Sequence, residues 1–109
     1  MKKIILPLLI FFTVLTSCEN KKDSFITYKV FCHSCSVSYS DENGINVNIK
    51  VYSNWEYGFQ GTPGQSIGFA AYNNDFGTLS GYIYTGKGTL KKESCKEDCS
   101  LIFSEQIPE

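Results

Sequence analysis

From Phe25 to Ile83 apolar and polar residues change places at every second position, and few folds accept a chain written that way. Ile26, Tyr28 and Val30 share one face, against Thr27 and Lys29 on the other. Cys35, Val37 and Tyr39 alternate with Ser34, Ser36, Ser38 and Ser40, and Ile45, Val47, Ile49 and Val51 alternate with Asn46, Asn48 and Lys50. A period of two sends alternate side chains to opposite sides of a pleated strand, so each run predicts a strand with one buried face. Trp55, Tyr57 and Phe59 continue the pattern, followed by Ile67, Phe69 and Ala71, and by Leu79, Gly81 and Ile83. The tail adds Thr89 to Glu93 and Ser100 to Phe103. Turn-forming residues separate these runs: Asp41-Glu42-Asn43-Gly44, Gly61-Thr62-Pro63-Gly64, Asn73-Asn74-Asp75 and Gly86-Lys87-Gly88. No stretch carries a helical period of useful length. Past residue 17 Leu and Ala are scarce, while Val, Ile, Tyr, Phe, Ser, Thr and Asn dominate, a mix suited to strands. The expectation is an all-β domain over residues 25–109: one small immunoglobulin-like β-sandwich of seven to eight antiparallel strands. Its predicted core contains Tyr28, Val30, Val37, Tyr39, Val47, Ile49, Trp55, Tyr57, Phe69, Ala71 and Ile83. On that reading Val47→Asp costs several kcal/mol by burying a lone charge, and Asn48→Asp costs little.

The first residues follow another logic. Lys2 and Lys3 precede an apolar run from Ile4 to Leu15, too short for a stable bilayer-spanning helix and arranged like a secretory signal. It ends in Leu15-Thr16-Ser17-Cys18, which resembles the lipobox of bacterial lipoproteins. The resemblance implies a signal peptide over residues 1–17, cleavage before Cys18, and an acylated Cys18 as lipid anchor. Residues 18–24 then read as a polar tether. The expected place is the cell envelope, with the membrane as a partner through the anchor. Glu19 beside the lipidated position is similar to lipoproteins of the outer membrane.

An anchored Cys18 resolves an odd count of five cysteines, leaving Cys32, Cys35, Cys95 and Cys99. In an exported domain an even set predicts disulfides. Cys32-His33-Ser34-Cys35 sits between two alternating strands, without the helix N-terminus a redox dithiol needs. Zinc held by the four thiolates, or by three with His33, is the alternative. If successive strands reverse direction, the strand ending at Cys32 and the one ending at Cys95 finish at the same pole. A bridge such as Cys32–Cys99 would close a loop of roughly seventy residues and stabilise by about 4 kcal/mol, and local bridges would contribute far less. Three pairings remain open.

Removal of residues 1–17 leaves 92 residues, enough for one domain with a thin core. Eight Lys then face eleven Asp and Glu, and Arg is absent, which argues against a nucleic-acid partner. His33 is the single histidine and no nucleophile–base arrangement accompanies it, so no catalytic residue and no cofactor is expected. Asp41-Glu42-Asn43 and Asn73-Asn74-Asp75 could offer oxygens to calcium, but turn chemistry explains them. Candidate binding residues are His33, Asn54 and Asn73, Asn74 and Asp75 in the loops of the cysteine-bearing pole. Tyr72, Tyr82 and Tyr84, on the face opposite Phe69, Ala71 and Ile83, form a second candidate set, fit for sugars or other small ligands.

The order of several segments is similar to the MmpS family of small mycobacterial membrane proteins. These are Tyr28-Lys29-Val30-Phe31, Ser36-Val37-Ser38-Tyr39, Trp55 opening the fourth strand, Phe69-Ala70-Ala71-Tyr72-Asn73-Asn74 and Gly81-Tyr82-Ile83-Tyr84-Thr85-Gly86-Lys87. The likeness spans Tyr28 to Glu93. It implies an exported β-sandwich acting beside a large envelope exporter. This chain departs from the family in its lipobox, which stands where the family has a membrane-spanning helix, and in Ser80-Gly81, where family members often carry Cys. The resulting expectation is a non-enzymatic, lipid-anchored adaptor with an envelope protein as partner. The alternatives are a lipoprotein binding carbohydrate or another small ligand, and a four-Cys metal or redox module.

Overall fold

The computed structural model describes residues 23–109, so Cys18, the signal-like segment and most of the tether lie outside the described residues. Eight strands follow in order: β1 (Phe25–Phe31), β2 (Cys35–Ser40), β3 (Asn46–Val51), β4 (Asn54–Gln60), β5 (Ser66–Asn73), β6 (Thr78–Thr85), β7 (Gly88–Lys96) and β8 (Ser100–Gln106). They form two four-stranded antiparallel sheets, ordered β4-β1-β6-β7 and β3-β2-β5-β8. The period-two pattern is the cause: Ile26, Tyr28 and Val30 of one sheet and Cys35, Val37, Phe69 and Ala71 of the other are buried between the layers. A β-sandwich is therefore the fold. Its strand order departs from the immunoglobulin constant arrangement, in which the first two strands share a sheet; here β1 and β2 lie in different sheets.

The chain changes sheets five times, and the pairing registers put four of these corners, β1–β2, β3–β4, β5–β6 and β7–β8, at one pole and the fifth, β4–β5, at the other. We call the first of these the distal pole. The β2–β3 and β6–β7 hairpins, the β4–β5 connection and the entry into β1 lie at the opposite, proximal pole. In the β2–β3 hairpin Gly44 takes φ +79° and its N–H bonds the Asp41 carbonyl at 3.0 Å, while Asp41 N–H bonds the Ile45 carbonyl at 2.9 Å. The Asn43-Gly44 signal thus forms a three-residue loop with a left-handed Gly rather than a two-residue turn.

The core extends beyond the residues expected, taking in Ile26, Phe59, Ile67, Leu79, Leu101, Phe103 and Ile107. Gly81 faces inward beside the Phe103 ring, where a Cβ would stand 2.8 Å from a ring carbon; the missing side chain makes room for the aromatic. In contrast Tyr39, Ile49, Trp55 and Tyr57 are only partly buried against the core, and Val47 is half-buried too. They point inward as expected, but β3 and β4 are edge strands, and the seam between them has no further strand to cover it. The large cost expected for Val47→Asp therefore does not apply, because a charge there keeps contact with water.

The edge strand β7 breaks the alternation. Ile83 pairs with Lys91 and Tyr84 with Thr89, so Leu90 is an extra residue in a bulge. The bulge, with Lys91, Lys92, Glu93 and Lys96, blunts this edge against pairing with other chains.

Candidate functional site

The distal pole gathers most of the residues singled out in the sequence. Both cysteine pairs are bonded locally, Cys32–Cys35 across the β1–β2 corner and Cys95–Cys99 across the β7–β8 corner. The long-range Cys32–Cys99 bridge is thus not formed, although the pairs do share a pole. All four sulfurs are engaged, which leaves no thiolate for zinc while these bonds stand. The local pairing has a geometric reason: each pair flanks a tight corner that brings its Cα atoms to 6.1 and 6.2 Å, within disulfide reach. Among the described residues no group of three or more His, Cys, Asp or Glu is placed to hold a metal.

Backbone hydrogen bonds tie the four corners into one chain. Cys32 N–H donates to the Ser53 carbonyl, Asn74 N–H to Ser34 and Asn73 N–H to Cys99, each at 2.9 Å. Glu97 N–H reaches the Gly77 carbonyl at 3.3 Å. Glu97 itself takes φ +68°, the one left-handed non-glycine among the described residues. That conformation turns its carbonyl toward Asn73, whose Nδ2 donates to Glu97 O at 2.8 Å and to Gly77 O at 2.6 Å. Asn73 is 7% exposed, and its Oδ1 has no protein partner among the described residues. Its role is thus to lace the β5–β6 corner to the β7–β8 corner. Asn73→Ala should lower the unfolding free energy by about 2 kcal/mol, since it removes two part-buried hydrogen bonds, although the Gly77 carbonyl keeps the Glu97 N–H. Chemical denaturation of the variant checks this, and an unchanged midpoint contradicts it.

His33 and Asp75 meet side chain to side chain, Nδ1 to Oδ2, although the His33 side chain is 84% exposed. Asp75 Oδ1 accepts the Gly77 N–H at 3.0 Å, and Asn74 Nδ2 donates to Ser36 Oγ at 3.2 Å. The Gly77 N–H first, and then His33, hold the Asp75 carboxyl below the ordinary aspartate value. A lowered carboxyl contributes stability at neutral pH, and that contribution fades as acid titrates the folded state through its lowered pKa. Turn chemistry therefore accounts for Asn73 to Asp75, and likewise for Asp41, whose Oδ1 accepts the Asn43 and Ile45 N–H groups. Asn54 opens β4 at this same pole, opposite Phe31.

The tyrosines do not form one stripe. Tyr72 stands on the outer face of the β5-bearing sheet, whereas Tyr82 and Tyr84 stand on the outer face of the other sheet. Face periodicity within each strand was right; pairing partners that sequence does not reveal put β5 and β6 in separate layers. Tyr82 and Tyr84 lie parallel at 5.7 Å, Phe31 meets Tyr82 edge-on at 5.8 Å, and Lys29 Nζ sits 5.6 Å from the Tyr84 centroid.

Two residues that the sequence reading passed over dominate the distal surface. Phe76 is 81% exposed within the β5–β6 corner and Tyr52 is 69% exposed within the β3–β4 corner. Tyr72 and Phe31, at the distal ends of their strands, are 50% and 42% exposed. A hollow of about 270 Å³ lies beside Phe76, lined also by Asn74, Asp75 and Asp98. The signal was present: Phe76 follows the Asn73-Asn74-Asp75 turn directly, and Tyr52 takes the outward phase after inward Val51. A large apolar side chain inside a turn has no core to enter.

No protein-family model matches the chain, and a search of curated proteins returns no match.

Proposed function

We propose that this chain is a non-enzymatic, lipid-anchored binding domain of the cell envelope, held to the membrane through Cys18 and presenting its distal pole to a protein partner. The observation that carries the reading is an aromatic crown, Phe76, Tyr52, Tyr72 and Phe31, on a pole braced by two disulfides and laced corner to corner. Aromatics on a rigid support are what protein interfaces use as anchors, because little conformational entropy is lost on docking. The described chain enters at the far pole, where the Gly61 N–H bonds the Ser24 carbonyl at 2.9 Å, so an anchor preceding Asp23 leaves the crown facing away from the membrane. The resemblance to the MmpS family supports an envelope exporter as the partner, and Glu19 beside Cys18 supports an anchor on the outer membrane.

A photo-crosslinking residue at position 76 of the full chain, expressed in cells, tests this. A discrete envelope-protein adduct is expected from position 76 and none from Ile102, an exposed site on the outer face of β8. The Cys18→Ala variant should lose both membrane association and the adduct. Equal adducts from both positions, or none from either, would sink the proposal.

A further inference from the structure

The proximal pole holds a cleft of about 470 Å³ where the two sheets part. That volume falls within the ordinary range for small-molecule sites. Its floor is the end of the core: Tyr28 and Phe59 from one sheet, Ile67 and Phe103 from the other. Ser40, Gln60, Gln65, Ser66 and Ser104 supply uncharged polar groups around it. The charges that line it are of one sign, Asp41 and Glu42 from the β2–β3 loop, and neither has a Lys or His at ion-pair distance among the described residues. Glu105, the register partner of Ile67, is half-buried on the same face of its sheet.

We propose that this cleft binds a small organic ammonium ion, with its apolar body on the aromatic floor and its charge against Asp41 and Glu42. Carboxylates at the mouth of a hollow with low-dielectric walls focus a field that draws cations and repels anions. Aromatic side chains favour an alkylated ammonium over a neutral body of the same shape. A bare metal ion fits less well: Asp41 Oδ1 already serves two loop N–H groups, and the floor offers carbon rather than oxygen. The Tyr28 hydroxyl accepts the Gly68 N–H at 3.0 Å, so its own proton is a donor for a hydroxyl or ether oxygen on the ligand. Burial raises the Tyr28 pKa, which keeps that donor in place at neutral pH. The inference does not depend on anchoring or on the distal crown.

The test is a titration of the purified, nitrogen-labelled full chain with choline, and separately with dimethylbutanol, its uncharged isostere. Choline should give saturable amide shifts at Gly44, Gln65 and Gly68, with the alcohol weaker by about tenfold. Glu42→Gln should weaken choline by about threefold or more, since it removes one of the facing charges. Absence of saturable shifts at the cleft overturns the proposal. So does equal affinity for the two ligands, or choline affinity that is the same in Glu42→Gln as in the parent.

Discussion

Val37→Asp should unfold the domain or bring it to the edge of unfolding, while Ser38→Asp, one residue along β2, should leave it nearly as stable as the parent. Val37 is 1% exposed, pairs in register with Ile49 and Ala71, and faces the opposite sheet. A carboxylate there has no cation to meet and no water, and its burial costs at least about 3 kcal/mol on top of the lost packing. A domain of this size has a total stability of about 5–10 kcal/mol, so the loss is a large share of the whole. Ser38 points outward on the same strand and keeps its solvent. Val47→Asp should fall between the two, near 1 kcal/mol, because β3 is an edge strand. Urea midpoints for the three variants check the order. Equal losses at Val37 and Ser38 would contradict the face assignment.

Removing both disulfides, by Cys→Ala at Cys32, Cys35, Cys95 and Cys99, should cost about 4 kcal/mol in total. In the chain-entropy model, closing a loop as short as those between Cys32 and Cys35 or between Cys95 and Cys99 contributes about 2 kcal/mol each. The two bridges close separate corners, so the pair variants Cys32→Ala/Cys35→Ala and Cys95→Ala/Cys99→Ala should add. The Cys32–Cys35 pair should cost somewhat more than its share, since Cys35 is fully buried and Ala leaves a small cavity. The Cys95–Cys99 pair should loosen the Glu97 turn, and with it the Asn73 bonds, which amide exchange at Gly77 and Glu97 would register. A joint loss much below 2 kcal/mol would mean that the corners hold their shape without covalent help.

How much of this was legible in the sequence follows from which interactions are local. Strand existence and inward faces could be read because alternation and turn chemistry act within a few residues, as at Ile26, Tyr28 and Val30. β7 was the least legible strand, because the Leu90 bulge shifts its phase midway. Layer membership was beyond reach: that Tyr72 and Tyr82 end on opposite outer faces depends on β5 pairing with β2 and β6 with β1. For the same reason Trp55 and Tyr57 read as core although the edge position of β4 leaves them half-covered. Strand parity correctly sent four cysteines to one pole, yet pairing them needs distances that parity does not carry. The cleft was invisible because its floor and rim come from strands far apart in sequence.

The arrangement of the crossings gives the sandwich a mechanical character. Four connections join the sheets at one end, two of them closed by disulfides, whereas the β4–β5 connection alone joins them at the other. The two layers are hinged like the halves of a clothes peg, stiff at the stapled end and able to part at the jaws. At the proximal end the Tyr28 hydroxyl accepts the Gly68 N–H from the opposite sheet, and the buried Ile107 side chain packs beside Gly61. An occupant of the cleft between Tyr28 and Phe103 would therefore act on the end of the sandwich with the fewer crossings, away from the stapled corners.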